Sequence, residues 1–267
     1  MHLALLHDGR PALLRVEGPA GAPVALFFHP FPLHADAWEE MLMACAAAGL
    51  CAAALDAPGF GGTPALGKPL EMAALAELGA VALDTLGARR ASIVGCSMGG
   101  YAAMAFVKRY PERTSSVALL ATKASPDSEE AKKNRERQAL LALERGGQAV
   151  VDEMAPRLLG QEPPAGVRQR MLELAARATG QGVADALRGM ALRPDSRPDL
   201  AAWKAPALVI AGEQDQLMPL SELQALAGGI PKAKLHVIPG AGHLVFMEQP
   251  RAVAQLLTAH CQVRLRE

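Results

Sequence analysis

The chain of 267 residues carries 27 Lys+Arg against 27 Asp+Glu and no long block of like charge, which excludes a broad electrostatic footprint for nucleic acid or an anionic membrane. Hydrophobic residues make up 51% but aromatics only 4%, a mixture that excludes disorder over most of the length and suits Ala-rich helices packed closely on a sheet. The length fits one large domain or a domain with an insert.

Along the chain, residues 2–7 and 12–16 flank the turn signal Asp8-Gly9-Arg10-Pro11 and predict two short strands. Continuous apolar runs at 24–28, 50–55, 93–96, 117–122, 207–211 and 235–238 predict strands buried on both faces. Helical patterns fall between them at 36–48, at 70–86 before Gly87, and at 98–110 before Pro111. A further helix starts at Ser221, and the last one, 251–261, follows Pro250 in its first turn. This alternation predicts a mostly parallel, twisted α/β sheet with helices on both faces and right-handed crossovers.

Residues 123–203 break the rhythm, with no strand signal and helix-prone stretches at 128–145, 148–159, 166–179 and 181–190. The expected organisation is a core of 1–122 and 204–267 with a helical cap of 123–203 inserted between two strands. The mixed charges at 129–137 read as the wet face of a helix.

Cys45, Cys51, Cys96 and Cys261 show no C-x-x-C spacing and are expected to be free thiols in a reducing compartment. The N-terminal residues lack a signal-peptide pattern, and the most apolar run, 42–55, is Gly-interrupted and too short to span a bilayer. The expectation is a cytoplasmic protein that engages no membrane, as a monomer or a homodimer.

Gly95-Cys96-Ser97-Met98-Gly99-Gly100 lies between a predicted strand and a predicted helix, the context that a G-x-S-x-G nucleophile elbow requires. A serine on so sharp a turn stands clear of the backbone at positive φ, and small neighbours let strand and helix pass close together. The helix N-terminus directs N–H groups at charge developing near Ser97.

The general base needs an imidazole, the side chain that titrates near neutrality. Of seven histidines, His243 in Pro239-Gly240-Ala241-Gly242-His243 follows the last predicted strand, at the carboxyl edge where open α/β sheets bind ligands. His236 lies within a strand pattern, His34 at a loop or helix start, and His2, His7 and His260 near the termini, where surface roles are expected. Asp215, after the strand 207–211, is the candidate to hold the imidazole, with Glu213 its rival two residues nearer the strand end. Acyl transfer also needs donors for the tetrahedral oxygen. The Met98 N–H follows the nucleophile, and in His29-Pro30-Phe31-Pro32 both prolines lack an N–H, which leaves Phe31 as the donor between them.

Taken together, these residues resemble the α/β-hydrolase superfamily, in its capped esterase and lactonase branch. The resemblance covers nearly the whole chain. His29-Pro30-Phe31-Pro32 is similar to the H-G-x-P loop, residues 56–61 to the D-x-P-G-x-G turn, and residues 95–100 to the G-x-S-M-G-G elbow. Residues 212–219 match G-x-x-D-x-x-x-P, and 240–243 match G-x-G-H. Pro30 stands where the family has Gly, and the Asp56 motif resembles a structural turn, not a catalytic one.

The resemblance implies an α/β-hydrolase fold, the order Ser97, Asp215, His243 as a catalytic triad, and an oxyanion hole from Phe31 and Met98. It further implies a cap that roofs the pocket, with Met154, Leu158, Met190 and Leu192 as candidate lining, and a small-molecule ester or lactone as substrate. Lactone (enol-lactone) hydrolysis, carbon–carbon bond hydrolysis and a non-catalytic small-ligand receptor are the alternatives. Serine at 97 argues against the haloalkane dehalogenase and epoxide hydrolase branches, which would require Asp there. No metal or organic cofactor is expected, and no nucleic-acid partner.

Overall fold

The computed structural model describes residues 1–7 and 9–262; the turn at Asp8 and the side chain of His7 lie outside the described residues. The apolar runs form β1 (His2–His7), β2 (Arg10–Glu17), β3 (Val24–Phe28), β4 (Cys51–Leu55), β5 (Ala91–Cys96), β6 (Thr114–Leu120), β7 (Ala207–Gly212) and β8 (Lys234–Ile238). These eight strands make one sheet in the order β1-β2-β4-β3-β5-β6-β7-β8. Only β2 runs against its neighbours β1 and β4; every pair from β4 to β8 is parallel.

Side chains alternate across a strand, and here both faces are apolar, so two cores form. Val24, Leu26 and Phe28 face one core, closed by α2 (Met72–Thr85), α3 (Met98–Arg109) and α9 (Leu220–Gly229). Ala25 and Phe27 face the other, closed by α1 (Glu39–Ala47) and α11 (Pro250–Gln262). Helices therefore cover both faces of a mostly parallel sheet.

Several boundaries differ from the sequence expectation for local reasons. The strand expected to reach residue 122 ends at Leu120: Ala121 still donates its N–H to Ile210 O at 3.0 Å, but at φ 45 it turns the chain out of the extended conformation. The helix expected over 36–48 is a 3-10 turn, Ala35–Trp38, followed by α1; His34 caps that turn by accepting from Asp36 N–H at 3.4 Å. His260 is not a surface group: its Nε2–H donates to Val117 O at 3.0 Å and ties α11 to the sheet, and burial lowers its pKa.

Between β6 and β7 the chain carries α4 (Glu129–Arg145), α5 (Gly147–Leu158), α6 (Val167–Ala175), α7 (Gly180–Ala191) and the short α8 (Arg197–Leu200). The loop 56–71 receives this insertion at several points. Gly59, at φ 90, lies so close to Gly182 that a Cβ on it would sit 2.2 Å from the Gly182 Cα. Asp185 Oδ2 accepts from the N–H groups of Leu66 and Gly67, and Leu70 N–H donates to Asp185 O at 2.8 Å. Arg170 and Arg177 on the other side meet Glu39 and Asp36 at 3.3 and 3.4 Å. Asp56 anchors the same loop, accepting from Ala35 N–H at 2.8 Å and Gly62 N–H at 3.0 Å.

Candidate active site

Parallel register brings the carboxyl ends of the strands side by side: Phe28 opposite Gly95, Cys96 opposite Leu120, Leu120 opposite Ile210, and Gly212 opposite Ile238. Residues that leave consecutive strand ends are thereby gathered along one edge, although they stand far apart in sequence.

Ser97 joins β5 to α3 at φ 52 and ψ −115, a conformation that side chains rarely adopt and that persists only where its surroundings hold it. They do so from the end of β6 and the turn after it: Ser97 N–H donates to Leu120 O at 2.9 Å, and the Thr122 hydroxyl donates to Ser97 O at 2.9 Å. The glycines permit the crossing. A Cβ on Gly95 would lie 2.1 Å from Gly99 O, and one on Gly99 would lie 2.1 Å from Phe28 O. Met98 opens α3, so its N–H has no intrahelical partner and is left facing the turn.

His243 follows β8, and its Nδ1–H donates to Asp215 Oδ2 at 2.8 Å. Both side chains are almost fully buried. The second oxygen of Asp215 accepts from Leu217 N–H at 2.8 Å and Met218 N–H at 2.9 Å, so the carboxylate is held from both ends. Glu213 points elsewhere: it is exposed and its Oε2 accepts from Gly240 N–H at 3.0 Å. Trp38 stacks on Phe246 at 4.0 Å between centroids, bracing the short α10 (Val245–Glu248) that continues the His243 loop.

Ser97, His243 and Phe31 border one cavity of about 290 Å³. The carboxylate–imidazole link is formed, and serine and imidazole share the wall of a single chamber. The sequence profile of the alpha/beta hydrolase family matches residues 25–256. The chain belongs to that family.

Among proteins of known structure, this alpha/beta hydrolase is similar to a thermophilic esterase from Thermogutta terrifontis solved with malate bound, at 33% identity and a TM-score of 0.91 over 97% of both chains. Among curated proteins it is similar to a pimeloyl-[acyl-carrier protein] methyl ester esterase from Chromobacterium violaceum, at 26% identity over 94% of this chain and 99% of that protein. It is also similar to a 2-hydroxy-6-oxononadienedioate/2-hydroxy-6-oxononatrienedioate hydrolase from Paraburkholderia phymatum, at 29% identity over 92% of this chain and 84% of that protein. Two of these proteins are named as esterases and the third as a hydrolase.

The wall of the hydrolase cavity sorts the four apolar residues singled out from sequence. Met154 and Met190 border it. Leu158 does not: it is fully buried in the core beside α10, with its carbonyl accepting from Leu244 N–H at 3.1 Å. Leu192 does not either, being 62% exposed at the end of α7 and bordering a neighbouring cavity of about 390 Å³. Helix periodicity gives an apolar face but not the direction in which the helix docks, and docking decided both cases.

Sequence reasoning missed two features of the site. Glu248 is buried and accepts from Gly160 N–H at 2.7 Å and Gly242 N–H at 2.9 Å, joining the α5 end of the insertion to the His243 loop. Burial raises its pKa, the backbone donors lower it, and the Asp215 charge raises it again. Its sequence signal is a lone acid within an apolar stretch five residues beyond His243. The second feature is a polar wall: Asp127 is ion-paired with Arg135 and with Arg193 Nη2, the latter at 2.8 Å, while the Arg193 guanidinium lies 4.1 Å above the Tyr101 ring. These residues sit in separate helices and turns, and no spacing connects them.

Proposed function

We propose that this alpha/beta hydrolase cleaves a carboxylic ester of a small molecule through an acyl-enzyme on Ser97, with no metal or organic cofactor. The observation that carries this reading is the His243–Asp215 hydrogen bond at 2.8 Å at the wall of the cavity that Ser97 also lines. The Ser97 Oγ attacks the ester carbonyl carbon while its proton passes to Nε2 of His243. Asp215 holds the imidazole in the Nδ1–H tautomer, so that Nε2 is the free base, and it offsets the charge of the imidazolium.

The carbonyl oxygen becomes an oxyanion, met by the N–H groups of Met98 and Phe31. Collapse of the tetrahedral intermediate breaks the bond to the leaving alkoxide, which takes the proton from His243. Water then attacks the acyl-enzyme with His243 again as base. The acid departs and Ser97 recovers its proton. A cyclic ester would follow the same steps and yield a hydroxy acid, so lactones belong to the same reading. The similarity to a hydrolase named for an oxo-dienedioate favours carbon–carbon bond hydrolysis as the second reading, with the same residues.

Labelling with a fluorophosphonate probe, together with turnover of p-nitrophenyl acetate, tests the proposal. Labelling confined to Ser97 and lost in Ser97→Ala is the expected result. A chain that neither labels nor turns over the ester is a small-ligand receptor instead.

A further inference from the structure

The cavity beside Ser97 has an unbalanced charge. Lys123, Arg135 and Arg157 line it, and Asp127 is the one carboxylate among its described lining residues. That carboxylate is already engaged: Arg135 and Arg193 both pair with it, so two guanidinium groups stand against a single negative charge. Burial raises the pKa of Asp127, but the hydrogen bonds and charges of Arg135 and Arg193 more than offset this, for a net decrease. Asp127 is thus an anion whose field is cancelled within the wall.

Two cations remain. Lys123 is half-buried and makes no hydrogen bond or ion pair among the described residues. It directly follows Thr122, whose hydroxyl bonds the Ser97 carbonyl, so its backbone is one residue from the nucleophile's support. Arg157, on the exposed side of α5, donates to Gln216 O at 3.0 Å and meets no carboxylate among the described residues. A lysine ammonium at a cavity wall with no counter-ion of its own attracts an anion that enters. At about 290 Å³ the chamber lies at the small end of ligand sites, so the anion it takes is compact.

We propose that the substrate carries a carboxylate in addition to the scissile ester, with Lys123 as its counter-ion and Arg157 drawing it in at the rim. This assignment rests on the serine-hydrolase reading of the same cavity and narrows it to monoesters of dicarboxylic acids, or esters of hydroxy acids. Lys123 acts here as a specificity-determining residue, since it meets the charged end of the substrate and not the reacting atoms.

The test pairs each anionic ester with its neutral isostere. Mono-4-nitrophenyl glutarate is compared with 4-nitrophenyl pentanoate, which places the charge on the acyl side. 3-Acetoxypropanoate is compared with propyl acetate, which places it on the leaving group. In at least one pair, kcat/KM is expected to favour the anion by about tenfold or more, the scale of one hydrogen bond to a charged group. Lys123→Met should reduce that ratio about tenfold, chiefly through KM, and Lys123→Arg should largely retain it.

Arg157→Gln and added salt read the same effect without altering residue 123. Raising ionic strength from about 0.01 M to about 1 M shortens the Debye length from about 30 to about 3 Å and should lower the ratio in the unaltered protein. Turnover with no charge preference in either pair, unmoved by Lys123→Met, Arg157→Gln or salt, would overturn the substrate class and leave the hydrolase reading standing. No turnover of any of the four esters, with Ser97 unlabelled by the fluorophosphonate, would overturn that reading and the substrate class with it.

Discussion

Glu248 and Gly160 are joined across the boundary between core and insertion: the carboxylate takes the Gly160 N–H at 2.7 Å with one oxygen and the Gly242 N–H at 2.9 Å with the other. A Cβ on Gly242 would lie 2.3 Å from Gly160 N, so the two backbones are in direct contact around this carboxylate. His243 is the next residue, and its position is coupled to the end of α5.

Replacing Glu248 should therefore weaken both stability and turnover. Glu248→Gln sets an NH₂ against one of the two backbone donors, and an unsatisfied buried donor costs about 1–3 kcal/mol. Thermal unfolding should show that loss. Activity toward p-nitrophenyl acetate, measured well below the variant's melting temperature, should fall because the imidazole is no longer fixed. Wild-type turnover at that temperature would show that the clamp serves the fold alone.

Asp215 and Glu213 separate cleanly by geometry, since only Asp215 reaches the imidazole. Asp215→Asn retains size but favours the wrong tautomer of His243, and kcat should fall by about 10³ or more. Glu213→Gln should change kcat by less than about threefold. Steady-state kinetics of the two variants side by side decide the assignment, and the reverse order of effects would move the acid to Glu213.

The Gly59–Gly182 crossing is a third target. A Cβ on Gly182 would lie 2.4 Å from both the Cα and the carbonyl oxygen of Gly59, with no flexible side chain able to yield. Gly182→Ala should cost about 1–3 kcal/mol by overpacking. It should also shift α7, which carries Met190 in the cavity wall. A melting temperature equal to wild type would contradict this close packing.

His29 makes stability depend on pH. Its buried ring donates from Nδ1 to Pro30 O and accepts at Nε2 from Ala57 N–H, both at 3.0 Å, which requires the neutral form. Burial pushes its pKa down to about 4, against upward pulls from the Pro30 carbonyl and the Asp56 charge. The unfolded chain takes up this proton below about pH 6.5 and the folded chain only below about 4. The contribution is complete above pH 6.5 and shrinks as pH falls toward 4, by up to about 3 kcal/mol. Denaturant unfolding at pH 7 and pH 5 should show a smaller loss in His29→Asn than in wild type, whatever the variant's absolute stability. An equal loss would remove His29 as the source.

How much of this could be read from the sequence differs by feature. The strands of the core were legible because a strand buried on both faces is a continuous apolar run, as at 24–28 and 207–211. The elbow was legible because its glycines and Ser97 are adjacent in the chain and their backbone constraint is local. The residues that follow strand ends were legible for a related reason: a parallel sheet aligns those ends, so Asp215 and His243 follow β7 and β8 to the same edge as Ser97.

The insertion is less legible. Periodicity marks its helices but not how they dock, and neither Leu158 nor Leu192 borders the cavity that Ser97 lines.

The sequence by itself determined the order of strands and helices and the residues at each strand end, because those follow from local pattern and backbone chemistry. Only the tertiary structure decided which faces of the inserted helices meet the core, which charges gather beside Ser97, and how Glu248 holds the His243 loop. Such contacts depend on the relative placement of segments many residues apart, set by packing and charge pairing that no single segment encodes.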